Sequence, residues 1–240
     1  MKTLSVIIPA FNEERYISEL IQKVKLVQTE TLGYEKEIIV VDDGSNDKTA
    51  DLVKNFTNVK LIQQKNKGKG AAVQTGVAQS KGDYIIVQDA DLEYNPEDYL
   101  PMLRLLNQHP GSLIYGSRVK GVIRDHGISI PFTGRHPNQS IGPWIANGIL
   151  SILFLILYQY WITDLLTAYK VYPGDALRNY DTKTSGFETD HELTAHFIRA
   201  TKIKEVPISY DPRRTEDGKK IRAIDGVIAV GTLLRFRFLK

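Results

Sequence analysis

Short, largely apolar runs closed by polar clusters constrain this chain's fold more than any other feature. They occupy residues 4–8, 38–41, 59–62, 84–87 and 113–115. Runs of this length, rich in Val and Ile, read as strands buried on both faces. Helical segments separate them. Ile17, Leu20, Ile21 and Val24 recur at helical spacing after an opening at Asn12 or Glu13. A second helix opens near Asn46 or Asp47, and residues 68–79 form a third from small side chains. Pro96 opens a fourth, where its missing N–H costs nothing. Alternation of this kind predicts an α/β fold, a mostly parallel sheet with helices on both faces. Such sheets bind ligands beyond the carboxyl ends of their strands. Asn12-Glu13, Asp42-Asp43, Asp89-Ala90-Asp91 and Ser117-Arg118 all fall at those ends.

The pattern changes after residue 118. Residues 120–140 carry Gly121, Gly127, Pro131, Gly134 and Pro137 with little periodicity, and read as a long loop. Residues 141–162 are mostly apolar, yet Pro143, Asn147, Ser151 and Gln159 interrupt them and Asp164 follows. A membrane span needs ~20 predominantly apolar residues, so a buried or interfacial helix is expected instead. A helix over 187–200 and a strand over 203–208 come next. A polar loop over 211–222 holds Arg213, Arg214, Lys219, Lys220 and Arg222, and an apolar helix over 224–234 closes the chain. The tail Arg235-Phe236-Arg237-Phe238 suits an anionic membrane surface or a frayed end. No cysteine is present, which excludes thiolate metal sites and a cysteine nucleophile. A net charge of +3 gives no case for a nucleic-acid partner. The start of the chain lacks the long apolar stretch of a signal peptide, so a cytoplasmic location is expected.

Four groups could do chemistry. Asp89 and Asp91 flank one small residue and could face Mg²⁺ or Mn²⁺, with Glu93 as a third ligand; a helix-capping turn is the structural alternative. One of Asp42 and Asp43 could accept hydrogen bonds from a base or ribose, or the pair could serve a turn. Asn66-Lys67-Gly68-Lys69-Gly70 at a helix start suits an anion. Asp190, His191 and Glu192 could supply a general base or cap a helix.

Three runs, in order, resemble family 2 glycosyltransferases with the A-type fold: residues 5–14 (SVIIPAFNEE), 40–47 (VVDDGSND) and 88–96 (QDADLEYNP). Residues 115–118, 163–171, 186–188 and 205–210, with Arg214, Gly218, Lys219, Lys220 and Ile221, are similar to polyprenyl-phosphate hexose synthases, the dolichyl-phosphate mannose and glucose synthases among them. The resemblance implies a Rossmann-like sheet in one domain over residues 1–240, with a nucleotide-sugar half to residue 118 and an acceptor half beyond it. It implies that Pro9, Phe11, Glu13 and Asp43 line a nucleotide pocket, with Val41, Lys69 and Ala90 beside them. Asp89, Asp91 and Glu93 would hold Mg²⁺ or Mn²⁺. Arg118, Arg214 and Lys220 would act on the donor diphosphate and acceptor phosphate with Asp91, and Arg135 and Glu192 would assist acceptor binding. The implied reaction is inverting transfer of a hexose from a UDP or GDP sugar to a polyprenyl phosphate at the cytoplasmic face of a membrane. A hydroxyl acceptor with Asp190 as base is the first alternative, and a non-catalytic nucleotide-sugar-binding protein the second.

Overall fold

A computed structural model describes residues 1–128, 133–212 and 223–238. Seven strands form one sheet: β1 (Lys2–Ala10), β2 (Tyr34–Asp42), β3 (Val59–Gln63), β4 (Tyr84–Val87), β5 (Leu113–Ser117), β6 (Lys170–Pro173) and β7 (Ile203–Pro207). Their order is β3-β2-β1-β4-β6-β5-β7. β1 lies parallel to β2 and β4, β2 to β3, and β5 to β7, while β6 runs antiparallel to both β4 and β5. The helices are α1 (Ile17–Leu26), α2 (Thr49–Lys54), α3 (Lys69–Ala78), α4 (Tyr99–Gln108), α5 (Arg118–His126), α6 (Ile141–Tyr158), α7 (Gly174–Arg178), α8 (Thr189–Phe197) and α9 (Ala223–Phe238).

Successive strand residues point to opposite faces, and the sheet divides its apolar residues accordingly. Leu4, Val6, Ile8, Ile38 and Val40 join one core with α1 and α4. Ile7, Ile39 and Val41 join the other, with α3, α6, α8 and α9. Helices thus cover an apolar core on each face, and the expected mostly parallel sheet with helices on both faces is what forms.

Several elements differ from expectation. α1 opens at Ile17 rather than at Asn12 or Glu13. Asn12 is left-handed (φ 54), and the N–H groups of Asn12, Glu13 and Glu14 donate to Ser45, Thr49 and Asp47 side chains instead. Residues 118–126, read largely as loop, form α5. Ser117 Oγ caps it by accepting from the Lys120 N–H at 3.1 Å, and Gly127 ends it at φ 73. β6 and α7 were not anticipated. The apolar segment forms α6, stopped at Gln159 in the left-handed region. Asn147, Leu150, Ser151, Phe154 and Leu157 face inward, while Ile145, Ile149, Ile152 and Ile156 are exposed. α6 is long and apolar enough to cross a membrane by length and composition, with 22% of it buried in the protein.

Asp98, just before α4, is buried and accepts the Ser209 N–H at 2.8 Å, tying the chain after β7 to the α4 side of the sheet. Burial pushes its carboxyl up to about 6, against the lowering pull of that hydrogen bond. A carboxyl raised in the folded state binds its proton more tightly there than when unfolded. Its contribution to stability is therefore greatest below the unfolded value near 4 and falls as pH rises to about 6. Asp98→Asn keeps an acceptor and removes the charge. In urea titrations it is expected to stabilise the protein by on the order of 1–3 kcal/mol above about pH 7 and by little near pH 4. An equal shift at both pH values would contradict this assignment.

Candidate active site

The exits of β1 and β2 are stitched into one rim. Ser45 Oγ accepts the Asn12 N–H, and Asn12 Oδ1 accepts the Asn46 N–H, both at 2.9 Å. Glu14 accepts the Lys48 N–H at 3.0 Å. Asp43 is buried beneath this rim. Its Oδ1 accepts from Gln64 Nε2 at 2.7 Å and the Lys67 N–H at 2.9 Å, and its Oδ2 accepts the Gly68 N–H at 2.8 Å.

Gln88, the residue after β4, is fully buried and anchors the acidic turn from below. Its Oε1 accepts the hydroxyls of Tyr99 at 2.6 Å and Tyr169 at 2.5 Å, and its Nε2 donates to the Asp89 carbonyl at 2.9 Å. The turn reverses through Leu92, left-handed at φ 58, with Asp91 Oδ1 accepting the Glu93 N–H at 3.2 Å. Lys69, the first residue of α3, places its ammonium 2.5 Å from Asp89 Oδ1. Burial lowers the Lys69 pKa, but Asp89, Asp190 and Asp91 more than offset this, and the net shift is upward. The start of α3 packs closely on residues 185–189. A Cβ on Gly70 would lie 2.3 Å from Thr189 Oγ1 and 2.6 Å from the Gly186 carbonyl oxygen. Only glycine admits this approach, which brings Phe187 and Glu188 to the same opening.

β5 delivers Arg118. Asp164, itself buried, accepts Arg118 Nε at 2.8 Å, Nη2 at 2.7 Å and the backbone N–H at 2.8 Å. Glu205 Oε1 in turn accepts the N–H groups of Thr163 at 2.8 Å and Asp164 at 3.3 Å. The guanidinium lies 5.0 Å from the Tyr210 ring centroid and 5.9 Å from that of Tyr94. Two of its five side-chain N–H groups donate to Asp164.

These exits open on one cavity of about 800 Å³, within the usual range for small-molecule sites. Pro9, Phe11, Glu13, Asp43, Lys69, Asp89, Ala90, Asp91, Glu93 and Arg118 all line it. Asp190 and His191 of α8 line it too. Its far wall is apolar and comes from α6 (Gly142, Pro143, Ala146, Leu150) and α9 (Gly226, Ala229). Asp190 Oδ1 stands 3.6 Å from the ammonium of Lys170, which is fully buried at the start of β6. Burial holds the Lys170 pKa below the usual lysine value despite Asp190. His191 is held neutral, with its pKa lowered to about 4 by burial and by Lys170, and its Nδ1 is buried with no hydrogen-bond partner among the described residues.

Other expected residues stand elsewhere. Val41 is a core residue: strand parity turns it toward α3, where Gly76 leaves room for it, and it does not line the cavity. Glu192 is fully buried and faces away, accepting from Tyr180, the Thr184 hydroxyl and the N–H groups of Lys183 and Thr184. It orders the 180–184 segment rather than an acceptor. Arg135 donates to the Gln139 carbonyl at 2.5 Å and lies outside the cavity lining. Arg214 and Lys220, with Arg213, Lys219 and Arg222, lie outside the described residues. Glu93 Oε2 accepts the Tyr210 hydroxyl at 3.1 Å. Among the described residues, no three acidic or histidine side chains are gathered to hold a metal, so Glu93 does not complete a set with Asp89 and Asp91. Those two still offer hard oxygen donors, and the Lys69 ammonium on Asp89 shows that the turn accommodates a cation. The donor set fits Mg²⁺ or Mn²⁺ with the remaining ligands supplied by a bound phosphate. Sequence reasoning missed Lys170, Asp164 and the tyrosine cluster; a lysine inside an otherwise apolar run at 168–172 was the available signal.

Comparison with known proteins identifies the scaffold. The crystal structure of glucosyl-3-phosphoglycerate synthase from Mycobacterium tuberculosis, in complex with Mn²⁺, uridine diphosphate and phosphoglyceric acid, matches with a TM-score of 0.72 at 18% identity. The match covers 100% of this chain and 80% of that one, and it establishes the sheet as the glycosyltransferase A-type fold. The low-salt glycan biosynthesis hexosyltransferase Agl6 of Haloferax volcanii is 29% identical over 215 residues, 89% of this chain and 49% of that protein. The undecaprenyl-phosphate 4-deoxy-4-formamido-L-arabinose transferase of Pseudomonas paraeruginosa is 36% identical over 129 residues, 51% of this chain and 36% of that one. The chain thus spans half or less of the length of these two relatives. The profile of glycosyl transferase family 2 matches residues 5–140, more than half of the chain, and with the acidic turn and the strand-end cavity in place the chain belongs to that family.

Proposed function

We propose that this chain transfers a hexose from a nucleoside diphosphate sugar to a polyprenyl phosphate at a membrane surface, with inversion at the anomeric carbon. One observation carries the reading: a single cavity joins the acidic turn and Arg118 to an apolar wall built by α6 and α9, both of which also expose apolar side chains outward. A donor that is polar throughout does not require such a wall, whereas an acceptor with a phosphate head and a hydrocarbon tail does. One relative is named an undecaprenyl-phosphate 4-deoxy-4-formamido-L-arabinose transferase and another a hexosyltransferase, and the structural neighbour forms complexes with UDP and Mn²⁺ or Mg²⁺.

In this reading, Mg²⁺ or Mn²⁺ held by Asp89 and Asp91 would neutralise charge on the departing diphosphate. Lys69 leaves Asp89 for that diphosphate, a short movement because it springs from the first turn of α3. The acceptor phosphate is already ionised near neutral pH, so no protein base is required. One phosphate oxygen attacks the anomeric carbon from the face opposite the diphosphate. The new C–O bond forms as the old one breaks, and the nucleoside diphosphate leaves. Arg118 holds the attacking phosphate in line. Its guanidinium is already fixed by Asp164, so little side-chain entropy is lost on binding. Arg214 and Lys220 are proposed to add charge from the following loop.

A hydroxyl acceptor would need a base, and Asp190 is the candidate. Its carboxylate, however, is engaged by Lys170, and removing it would leave a buried ammonium without compensation. That pairing favours the phosphate acceptor.

Purified protein with Mn²⁺ or Mg²⁺, a panel of UDP and GDP hexoses and a short polyprenyl phosphate is expected to yield a glycosylated lipid phosphate. Transfer seen only with a saccharide or lipid alcohol would sink the proposal. Asp91→Asn is expected to lower transfer by at least about a hundredfold with an unchanged melting curve. Retained activity would remove Asp91 from the site. Replacing exposed Ile149 and Ile156 together with Glu is expected to lower binding to anionic liposomes by at least about tenfold, from the lost burial of two isoleucines. Flotation that does not respond would place the membrane contact elsewhere.

A further inference from the structure

His191 lies in the first turn of α8 and lines the cavity, yet the proposed reaction gives it no task. We infer that its Nε2–H donates a hydrogen bond to one hydroxyl of the transferred hexose and so selects among donor sugars; this rests on the proposed nucleoside diphosphate sugar donor. The residue is only 5% exposed. Nδ1 is shut off from solvent with no hydrogen-bond partner among the described residues, whereas Nε2 is not among the sealed atoms. Nε2 is therefore the ring nitrogen that a ligand in the cavity can reach.

The environment also chooses the tautomer. A neutral imidazole carries one N–H and one lone pair. Buried N–H groups without partners are rarer than under-used acceptors, which puts the lone pair on the sealed Nδ1. Lys170 reinforces this choice. It is buried, does not line the cavity, and its positive charge acts on the ring from the protein side. A nearby cation attracts a lone pair and repels an N–H. The proton therefore sits on Nε2, and the cavity meets an uncharged donor.

Position decides what that donor meets. On one side, residues 185–189 pack against the start of α3, and the Lys69 ammonium lies 5.7 Å from the Phe187 ring centroid. On the other, Asp190 pairs with Lys170, which stands opposite Tyr115 on β5, the strand that leads to Arg118. The start of α8 thus lies between the cation proposed for the departing diphosphate and the one proposed for the attacking phosphate. In an in-line displacement the hexose occupies that interval. The adjacent Asp190 carboxylate disfavours a phosphate here and leaves a neutral hydroxyl as the acceptor. A hexose without that hydroxyl would strand the Nε2–H in a closed site, and sites built to bond a hydroxyl discriminate strongly on this ground.

Isothermal titration of the full chain with Mg²⁺ or Mn²⁺ tests this, using UDP against UDP-glucose and GDP against GDP-mannose. For the pair that binds, His191→Ala is expected to weaken the sugar nucleotide by about three- to tenfold and to leave the free nucleotide within about twofold. His191→Gln, whose amide carries an N–H to a similar reach, is expected to recover most of that loss. His191→Leu, close to histidine in volume and without an N–H, serves if His191→Ala does not fold. In the native protein, one of the monodeoxy analogues of that hexose is expected to show the same deficit, and the deficit is expected to vanish in His191→Ala or His191→Leu. Equal weakening of nucleotide and sugar nucleotide in these variants overturns the inference and makes His191 a structural residue. So does native binding of both, or a deoxy deficit that persists without the imidazole. Failure of both pairs to bind the folded native chain overturns the proposed donor, and this inference with it.

Discussion

The rest of this structure depends on one strand that runs the wrong way. β6 lies between β4 and β5, antiparallel to both. Parallel strands end at the ligand-binding edge of such a sheet, and an antiparallel strand therefore begins there. The chain leaves β5 at that edge and re-enters the sheet through β6 at the same edge. The connection from β5 to β6, which carries α5 and α6, therefore starts and finishes at the cavity edge. This keeps α6 over the cavity, brings Asp164 back to Arg118, and puts Tyr169 beneath Gln88.

Three ion pairs stand at or beside the cavity. Lys69 pairs with Asp89, Arg118 with Asp164, and Lys170 with Asp190. Buried charges gain little unless they are paired and hydrogen-bonded. The three pairs have different exposures, and this separates their roles. Lys170 is sealed in and Asp164 is sealed in, so their partners are held in position. Lys69 and Asp89 are both partly open, at 23% and 20%, and theirs is the pair a charged ligand can exchange.

The front of the molecule was legible because its strands are buried on both faces. Val6, Ile7, Ile8 and Ile38 to Val41 had no polar alternation to confuse them with surface strands. The polar strand ends then followed from topology alone. The later elements hid for local reasons. β6 is four residues long, begins with a lysine and ends with a proline. α5 is strongly charged, and its signal lies in the Ser117 cap and Gly127 stop rather than in an apolar stripe. Val41 and Asp43 share strand parity, but Val41 lies within β2 and packs in the core, whereas Asp43 lies one residue past the strand's end. Glu192 and Asp190 lie two positions apart on α8 and so face different ways, one to the cavity and one to the 180–184 segment. Motif resemblance marks the neighbourhood of such residues and does not resolve the face.

α6 has a geometric consequence for how the proposed reaction is supplied. One side of the helix forms a wall of the cavity, and isoleucines project from another. With those isoleucines seated in a bilayer, the acceptor reaches the cavity by lateral diffusion, while the sugar donor arrives from bulk water. The two substrates then obey different concentration laws, one per unit area and the other per unit volume. Diluting the acceptor among other lipids would slow turnover even with the total amount of acceptor unchanged.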